Sequence, residues 1–552
     1  MINRKFATPL AVFLFILILT ACEKDTVEPI TVDVNGIVQY EDKELDVTGA
    51  TGNTKMQAVR YAFVDLVDVG DVILDSGVTD EQGAYQLKGH GAGLSVRVVA
   101  ATSFAAGTMV RISDYQGNTY AVTKDIEQKN GTQQLDILIT MDSQISGVYN
   151  MLDVFTSSVE LISSVSSKEM PVVNAFWEPQ KSYYGTYFCP TDTKWGSCPQ
   201  GKGMYLLGGN ANGGDTDEYD DDVLWHEFGH YLESYVGVDD SPGGAHYLTE
   251  NDYDLRLSWS EGWGGFFPTA IKRWLAETNA ERLSQVDSVP LSYFIDTYGS
   301  FAGISINMAN PSPKFCAGSR DCFIYSSSEV AVAKVLTGMH QSFGMQAIWD
   351  VFSEYIPNNT ALPATLETFW DGWLQQRAPD AIESTQLQTI FNDRKIFYQS
   401  DDFEFDDYVE VAGSISVCIS QNCSGELHYL YKENSDDADL LSFNAVSGNS
   451  YTIETMNLSN GADTYLRILD SNGNIVFAEN GSIMANNDRE GTVYCYSTDS
   501  KCRVHNDKDM LSSMLRFVPP TSGIYYVQVT SNNNRPDGAG RYGTYWLRVI
   551  QG

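Results

Sequence analysis

Five consecutive residues, His226-Glu227-Phe228-Gly229-His230, carry the clearest chemistry in this sequence. On an α-helix, positions i and i+4 lie on one face about one turn apart, so both imidazoles can reach one metal ion. Glu227 follows the first imidazole and flanks the same ion. A zinc ion lowers the pKa of its bound water towards about 7, and a neighbouring carboxylate can take the proton. The chemistry expected is zinc-assisted hydrolysis, with His226 and His230 as ligands and Glu227 as general base. The alternative is a helix that simply buries two histidines. Helical spacing of Val223, Leu224, Phe228, Tyr231 and Leu232 predicts a helix over about 218–235. Its first turn is filled by acids, among them Asp220, Asp221 and Asp222, where the helix dipole favours them.

A catalytic zinc needs a third protein ligand and keeps one position open. Downstream stands Leu257-Ser258-Trp259-Ser260-Glu261-Gly262-Trp263-Gly264-Gly265. Here the chain resembles gluzincins, zinc peptidases in which a glutamate on the following helix completes a two-histidine, one-glutamate site. The resemblance implies that Glu261 is the third ligand and that peptide bonds are the substrate. The plainer reading of Glu261 is an acid capping a helix predicted over 260–278. The metzincin pattern H-E-x-x-H-x-x-G-x-x-H is absent, because Glu233 and Val236 stand where it needs Gly and His. Thermolysin-like relatives steady the oxyanion with a downstream histidine, which makes His340, at the end of a helix predicted over 327–340, a catalytic candidate. A helix cap is its plainer reading. His246, in the segment 240–246, is a candidate cleft residue, and Tyr253 and Tyr325 are further candidates. Gly265 occupies the place of the usual supporting aspartate, so nothing in the sequence explains how the two imidazoles are oriented.

The elements that must position these residues fall into stretches of different periodicity. Over residues 30–142, Val34 to Tyr40, Ala62 to Val67 and Leu94 to Val99 alternate, and Thr79-Asp80-Glu81-Gln82-Gly83-Ala84-Tyr85 places turn residues before a strand. This order resembles the carboxypeptidase-regulatory, or transthyretin-like, domain, which implies a β-sandwich spacer without chemistry. Residues 143–400 turn mostly helical, with stretches at 151–165, 218–235, 260–278, 327–340, 345–355 and 366–376 and a strand at 172–177. That indicates an α+β domain, and the resemblance implies a zincin-like metallopeptidase fold. Residues 402–552 return to alternation, as in Tyr451-Thr452-Ile453 and Ile524-Tyr525-Tyr526-Val527-Gln528-Val529. They resemble the bacterial pre-peptidase C-terminal domain, a jelly-roll-like β-sandwich that in relatives binds substrate or surfaces, in some cases with calcium.

At 552 residues the chain exceeds one core, and about 150 residues per domain gives roughly three. Hydrophobic content of 43% and charged content of 19% are those of globular domains. A formal net charge of -37 opposes binding to nucleic acid, whose phosphates it repels, and offers oxygen ligands for calcium beside the zinc expected at the motif. Arg4 and Lys5 precede the apolar run Phe6 to Leu19, as in a secretory signal. Leu19-Thr20-Ala21-Cys22 resembles a lipobox, which makes 1–22 a lipoprotein signal and implies that Cys22 is lipidated. Glu23-Lys24-Asp25 resembles the export signal of Bacteroidetes-type surface lipoproteins. Apart from Cys22, the nine cysteines fall into close pairs, Cys189-Cys198, Cys316-Cys322, Cys418-Cys423 and Cys495-Cys502, which read as local disulfides of an exported protein.

The expectation is therefore a lipid-anchored zinc peptidase of the bacterial envelope, outer membrane or cell surface, acting as a monomer on proteins or peptides. The rival is a non-catalytic adhesion or surface-binding lipoprotein with a degenerate peptidase core. A pure binder has no use for Glu227 beside the metal.

Overall fold

The computed structural model describes residues 28–46, 49–103, 109–182, 185–194, 196–209, 214–249, 253–283, 292–295, 304–308, 323–403, 406–419, 423–430, 437–487, 511–531 and 542–552. Cys22 and the pairs Cys316-Cys322 and Cys495-Cys502 lie outside them.

The first strand, β1 (Ile30–Asp46), is long because its apolar residues recur every second position over most of its length. It pairs antiparallel with β2 (Gly49–Ala58) through its second half and with β5 (Ala84–Gly91) through its first half. Two short strands, β9 (Gly131–Gln134) and β10 (Ile137–Ile139), run parallel to it. Gly36 allows the crossing of Leu135, since a Cβ there would fall 2.0 Å from the Leu135 carbonyl oxygen. A second sheet contains β3 (Ala62–Val67), β4 (Ile73–Val78), β6 (Ser95–Ser103), β7 (Met109–Ser113) and β8 (Ala121–Asp125). Val34 and Val38 of one sheet and Val64, Val96 and Val98 of the other lie in one apolar core, the arrangement of a β-sandwich.

This sheet does not stop at residue 142. After β7 the chain passes through α1 (Ser146–Val165) and returns as β11 (Val173–Phe176), parallel to β7 with Val173 opposite Val110 and Ala175 opposite Ile112. The strands β13 (Gly203–Tyr205) and β12 (Tyr187–Cys189) extend it to eight, with β12 at the end. The division expected at 142 thus falls within a continuous sheet. Parallel pairing across a long helical crossover has no local signature. Helix α1 is buried on nearly every side, and Thr156, Ser157 and Ser158 satisfy their hydroxyls on carbonyls one turn back.

The helical part consists of α2 (Asp221–Tyr235), α3 (Leu255–Thr278), the ribbon β14 (Ser292–Ile295) with β15 (Ile304–Asn307), α4 (Glu329–Phe343), α5 (Met345–Asp350), a π-helical turn Val351–Tyr355, the single turn α6 (Ile356–Asn358), α7 (Leu366–Arg377) and α8 (Ala381–Asn392). Helix α3 starts a turn and a half before the expected position. The Asp254 carboxylate caps it, accepting from the Arg256 N–H at 2.9 Å and from the Arg256 side chain at 2.8 Å. Helix α8 escaped the periodicity reading because among its residues only Leu387 and Phe391 are buried.

The C-terminal part is two further sheets around a core of their own. One contains β16 (Gly413–Ser414), β19 (Ala438–Ala445), β21 (Thr464–Leu469), β22 (Ala485–Asn486) and β24 (Gly523–Ser531). The other contains β17 (Val417–Cys418), β18 (Glu426–Leu430), β20 (Tyr451–Ser459), β23 (Met514–Phe517) and β25 (Gly543–Gln551). Leu255 of α3 is built into that core, and Gly461, at φ 76°, leaves the space for it. The disulfides Cys189–Cys198 and Cys418–Cys423 are formed. No helix among the described residues is long and apolar enough to cross a membrane.

Candidate metal centre

Two glycines bring α2 and α3 close enough to share a ligand set. A Cβ on Gly229 would stand 2.9 Å from the Gly264 Cα, and one on Gly264 would stand 2.8–2.9 Å from three atoms of the His226 ring. Gly262 makes the corresponding room for α4, where a Cβ would fall 2.5 Å from Val332. The glycines flanking Glu261 therefore set helix separations, and Trp263 locks the crossing by donating its indole N–H to the Gly229 carbonyl at 3.2 Å. Glu261 lies in the second turn of α3, not at its cap, so its carboxylate is free to turn towards α2.

His226, His230 and Glu261 converge. His226 Nε2 lies 3.1 Å from His230 Nε2 and 3.1 Å from Glu261 Oε2, and His230 Nε2 lies 3.6 Å from the same oxygen. Ligand atoms about 2.0–2.1 Å from a tetrahedral ion stand about 3.3 Å apart, so this triangle has the size of a metal site. The three side chains could together hold a metal ion. Glu227 is buried beside them, and its Oε2 has no hydrogen-bond partner among the described residues. Burial raises its pKa, against the opposing pull of His230 and His226. Burial disfavours charge on His230, but the Glu261 and Glu233 carboxylates outweigh it and hold its pKa well above the ordinary value.

The orientation of the imidazoles, unexplained in the sequence, comes from residues that the motif does not contain. Glu233 Oε2 sits 3.0 Å from His230 Nδ1 and accepts the Ser260 hydroxyl at 2.7 Å. That contact orients the ring with Nδ1 towards Glu233 and Nε2 towards the site. The Tyr293 hydroxyl lies 3.4 Å from His226 Nδ1. Glu233 carried one usable signal, its position one turn past His230 on the same helix.

The candidate cleft residue His246 is in the site. Its Nδ1 lies 2.7 Å from Glu329 Oε2 and its Nε2 lies 3.4 Å from Glu261 Oε1. Burial opposes its charge, but Glu261 and then Glu329 raise its pKa to about 9. His340 is elsewhere, and the oxyanion role assigned to it is corrected. It lies about three turns beyond Glu329 on α4, its ring edge-on to Phe266 at 5.9 Å, and does not line the cleft. Burial in these apolar surroundings, with Arg273 nearby, lowers its pKa to about 4. Tyr253 and Tyr325 do not line the cleft either. The Tyr253 hydroxyl donates to the Tyr247 carbonyl at 3.1 Å and steadies the loop that carries His246.

The cleft holds about 850 Å³ and is lined by His226, Glu227, His230, Glu261, His246 and Tyr293 at its polar centre. Tyr187, Phe188 and Pro190, on and after the terminal strand β12, form one wall. The Cys189–Cys198 disulfide anchors that strand.

Among the described residues, three groups of side chains could hold a metal ion: His226-His230-Glu261, His246-Glu261-Glu329 and Asp401-His428-Asp439. No protein-family profile and no curated protein sequence matches the chain. Among solved structures, it is similar to CorA, a surface-associated copper-binding protein of Methylomicrobium album BG8, at 12% identity over 25% of this chain and 98% of that one, with a TM-score of 0.16. It is also similar to PliG of Aeromonas hydrophila, a periplasmic inhibitor of g-type lysozyme, at 15% identity over 26% of this chain and 100% of that one, with a TM-score of 0.13. Similarity to a 9R-lipoxygenase from Cyanothece PCC8801 covers 19% of this chain and 16% of that one, at 14% identity and a TM-score of 0.10. At these scores the likenesses bear on neither the fold nor the chemistry.

Proposed function

We propose that this chain is an exported zinc-dependent peptidase of the gluzincin type, anchored through Cys22 and working outside the cytoplasm. The observation that carries the reading is the convergence of His226, His230 and Glu261 to edges of 3.1–3.6 Å beside the buried, unpartnered oxygen of Glu227. A bound zinc supplies a Lewis acid that polarises a carbonyl and acidifies water. Glu227 takes the proton of the attacking water on its carboxylate and passes it to the departing amine. Burial raises its pKa, which favours uptake of that proton. His246, oriented by Glu329, presents its Nε2 side to the cleft and donates to the oxygen on which charge develops, the task expected of His340. Glu233 and Ser260 hold His230 in register.

A peptide is the substrate that the cleft wall suits. β12 is the last strand of its sheet, and its Tyr187 and Phe188 line the cavity. An extended peptide laid along it gains main-chain hydrogen bonds. The two formed disulfides accord with an oxidising compartment. The test is casein digestion before and after treatment with a chelator. Hydrolysis is expected to stop and to return when zinc is added back. Digestion that continues without metal, or no digestion by the zinc-loaded protein, contradicts the reading.

A further inference from the structure

A second group of donor atoms lies where the segment after the helices enters the C-terminal sandwich. Asp401 is held by two backbone N–H groups, those of Phe403 at 2.8 Å and Tyr429 at 2.9 Å. His428 on β18 is fully buried, and neither ring nitrogen has a hydrogen-bond partner among the described residues. Its Nδ1 stands 3.7 Å from Asp401 Oδ2. That is too long for a hydrogen bond but close to the spacing of about 3.3 Å between two ligands of one tetrahedral ion. Asp439 on β19 is buried at 1% exposure. Its Oδ2 accepts the Tyr545 hydroxyl, and its Oδ1 has no partner among the described residues. One donor atom from each of the three side chains falls within 4.8 Å of the others. The rings of Phe403, at 4.6 Å, and Tyr545, at 5.5 Å, pack against the imidazole.

This arrangement is costly as it stands. A buried imidazole with both nitrogens unsatisfied forfeits its hydration without return. The charges that weigh most on Asp439 are those of other carboxylates, Asp437, Asp406 and Asp401. A cation among the three donors would offset the burial and the mutual repulsion of their carboxylates. We propose that Asp401, His428 and Asp439 bind a divalent transition-metal ion of the zinc class, forming a structural site separate from the cleft. An imidazole nitrogen among two carboxylates selects such an ion, whereas calcium takes six to eight oxygens. The ion joins the connecting segment to both sheets, since β18 and β19 belong to different ones. The three side chains supply three of the four ligands such an ion takes, and the Phe403 and Tyr545 rings pack against the imidazole.

The test uses the full chain and its His428→Asn and Asp439→Asn variants. Each is loaded with zinc and calcium together, passed over chelating resin and analysed for both metals. The expected result is about one zinc fewer per chain in each variant than in wild type, with a lower Tm. Asp439→Asn is isosteric and still able to accept the Tyr545 hydroxyl, so it gives the count if His428→Asn does not fold. Cobalt(II) in a His230→Ala protein provides a check that leaves this site intact, and visible absorption of a bound ion is expected to persist. Equal zinc in wild type and variants, loss of calcium in place of zinc, or no cobalt absorption overturns the proposal. The reading is a difference between proteins that share the same cleft, so it does not depend on whether the cleft site is catalytic.

Discussion

The cleft group on α2 and α3 and the sandwich group on β18 and β19 use the same side-chain types in different surroundings. In the cleft, each imidazole is held from behind, His230 by Glu233 and His226 by Tyr293, and the donor atoms open onto a cavity of about 850 Å³. A further carboxylate, Glu227, stands beside them with an unpartnered oxygen. In the sandwich, Phe403 and Tyr545 pack against the imidazole, Asp401 accepts from two backbone N–H groups, and one oxygen of Asp439 accepts from the Tyr545 hydroxyl. Donor atoms alone therefore define only a capacity to bind metal. Space for a substrate and a base beside the donors separate a reactive site from a structural one.

Gly264→Ala breaks this contrast on the cleft side. The added methyl meets the His226 ring at 2.8–2.9 Å, so the imidazole must move. Displacement of about 1 Å costs about 10²-fold in rate, so casein turnover is expected to fall by that order while the sandwich group is untouched. Unchanged turnover would show that the helix separation does not set the ligand geometry.

Glu233→Gln sharpens the contrast, because it weakens support without removing a donor. Loss of a carboxylate partner to a ligating histidine lowers metal affinity by about 10–100-fold. A zinc titration against a competing chelator measures it, and an affinity equal to wild type would show that Glu233 is only packed there.

The smallest expected effect concerns Asp217, in the acidic approach to α2. Burial raises its pKa to about 7, and the Thr186 hydroxyl offsets only part of that. A carboxyl raised in the fold costs stability as pH climbs from its unfolded value of about 3.9 towards 7, and the cost is complete above that. Asp217→Asn is expected to raise Tm by about 2–4 °C at pH 8 and to leave it unchanged at pH 4. A variant less stable at both pH values would contradict the burial argument.

The parts legible in the sequence were those whose geometry is local. His226 and His230 share one helical face and Glu227 flanks it, so their convergence follows from the helix repeat. Glu261 required the added assumption that the next helix crosses the first, and Gly264 and Gly229 are the reason it does. Glu233 stands in the sequence only as a mismatch to another pattern, because its role depends on Ser260 arriving from α3. A histidine near a helix end, as His340 is, carries no sign of how far along the axis the cleft lies. His428 and Asp439 lie on strands of different sheets and gave no spacing to read. In the fold, alternation showed the strands before residue 142 and after 402, whereas the pairing of β11 with β7 depends on tertiary packing around α1.

The most direct measurement is metal content and casein hydrolysis in wild type and Glu227→Gln, assayed side by side. The amide keeps the size of the side chain and cannot take the proton. Zinc content equal to wild type with a rate lower by several orders of magnitude is the result predicted. Equal rates in the two proteins would contradict the role of Glu227 and the peptidase reading with it.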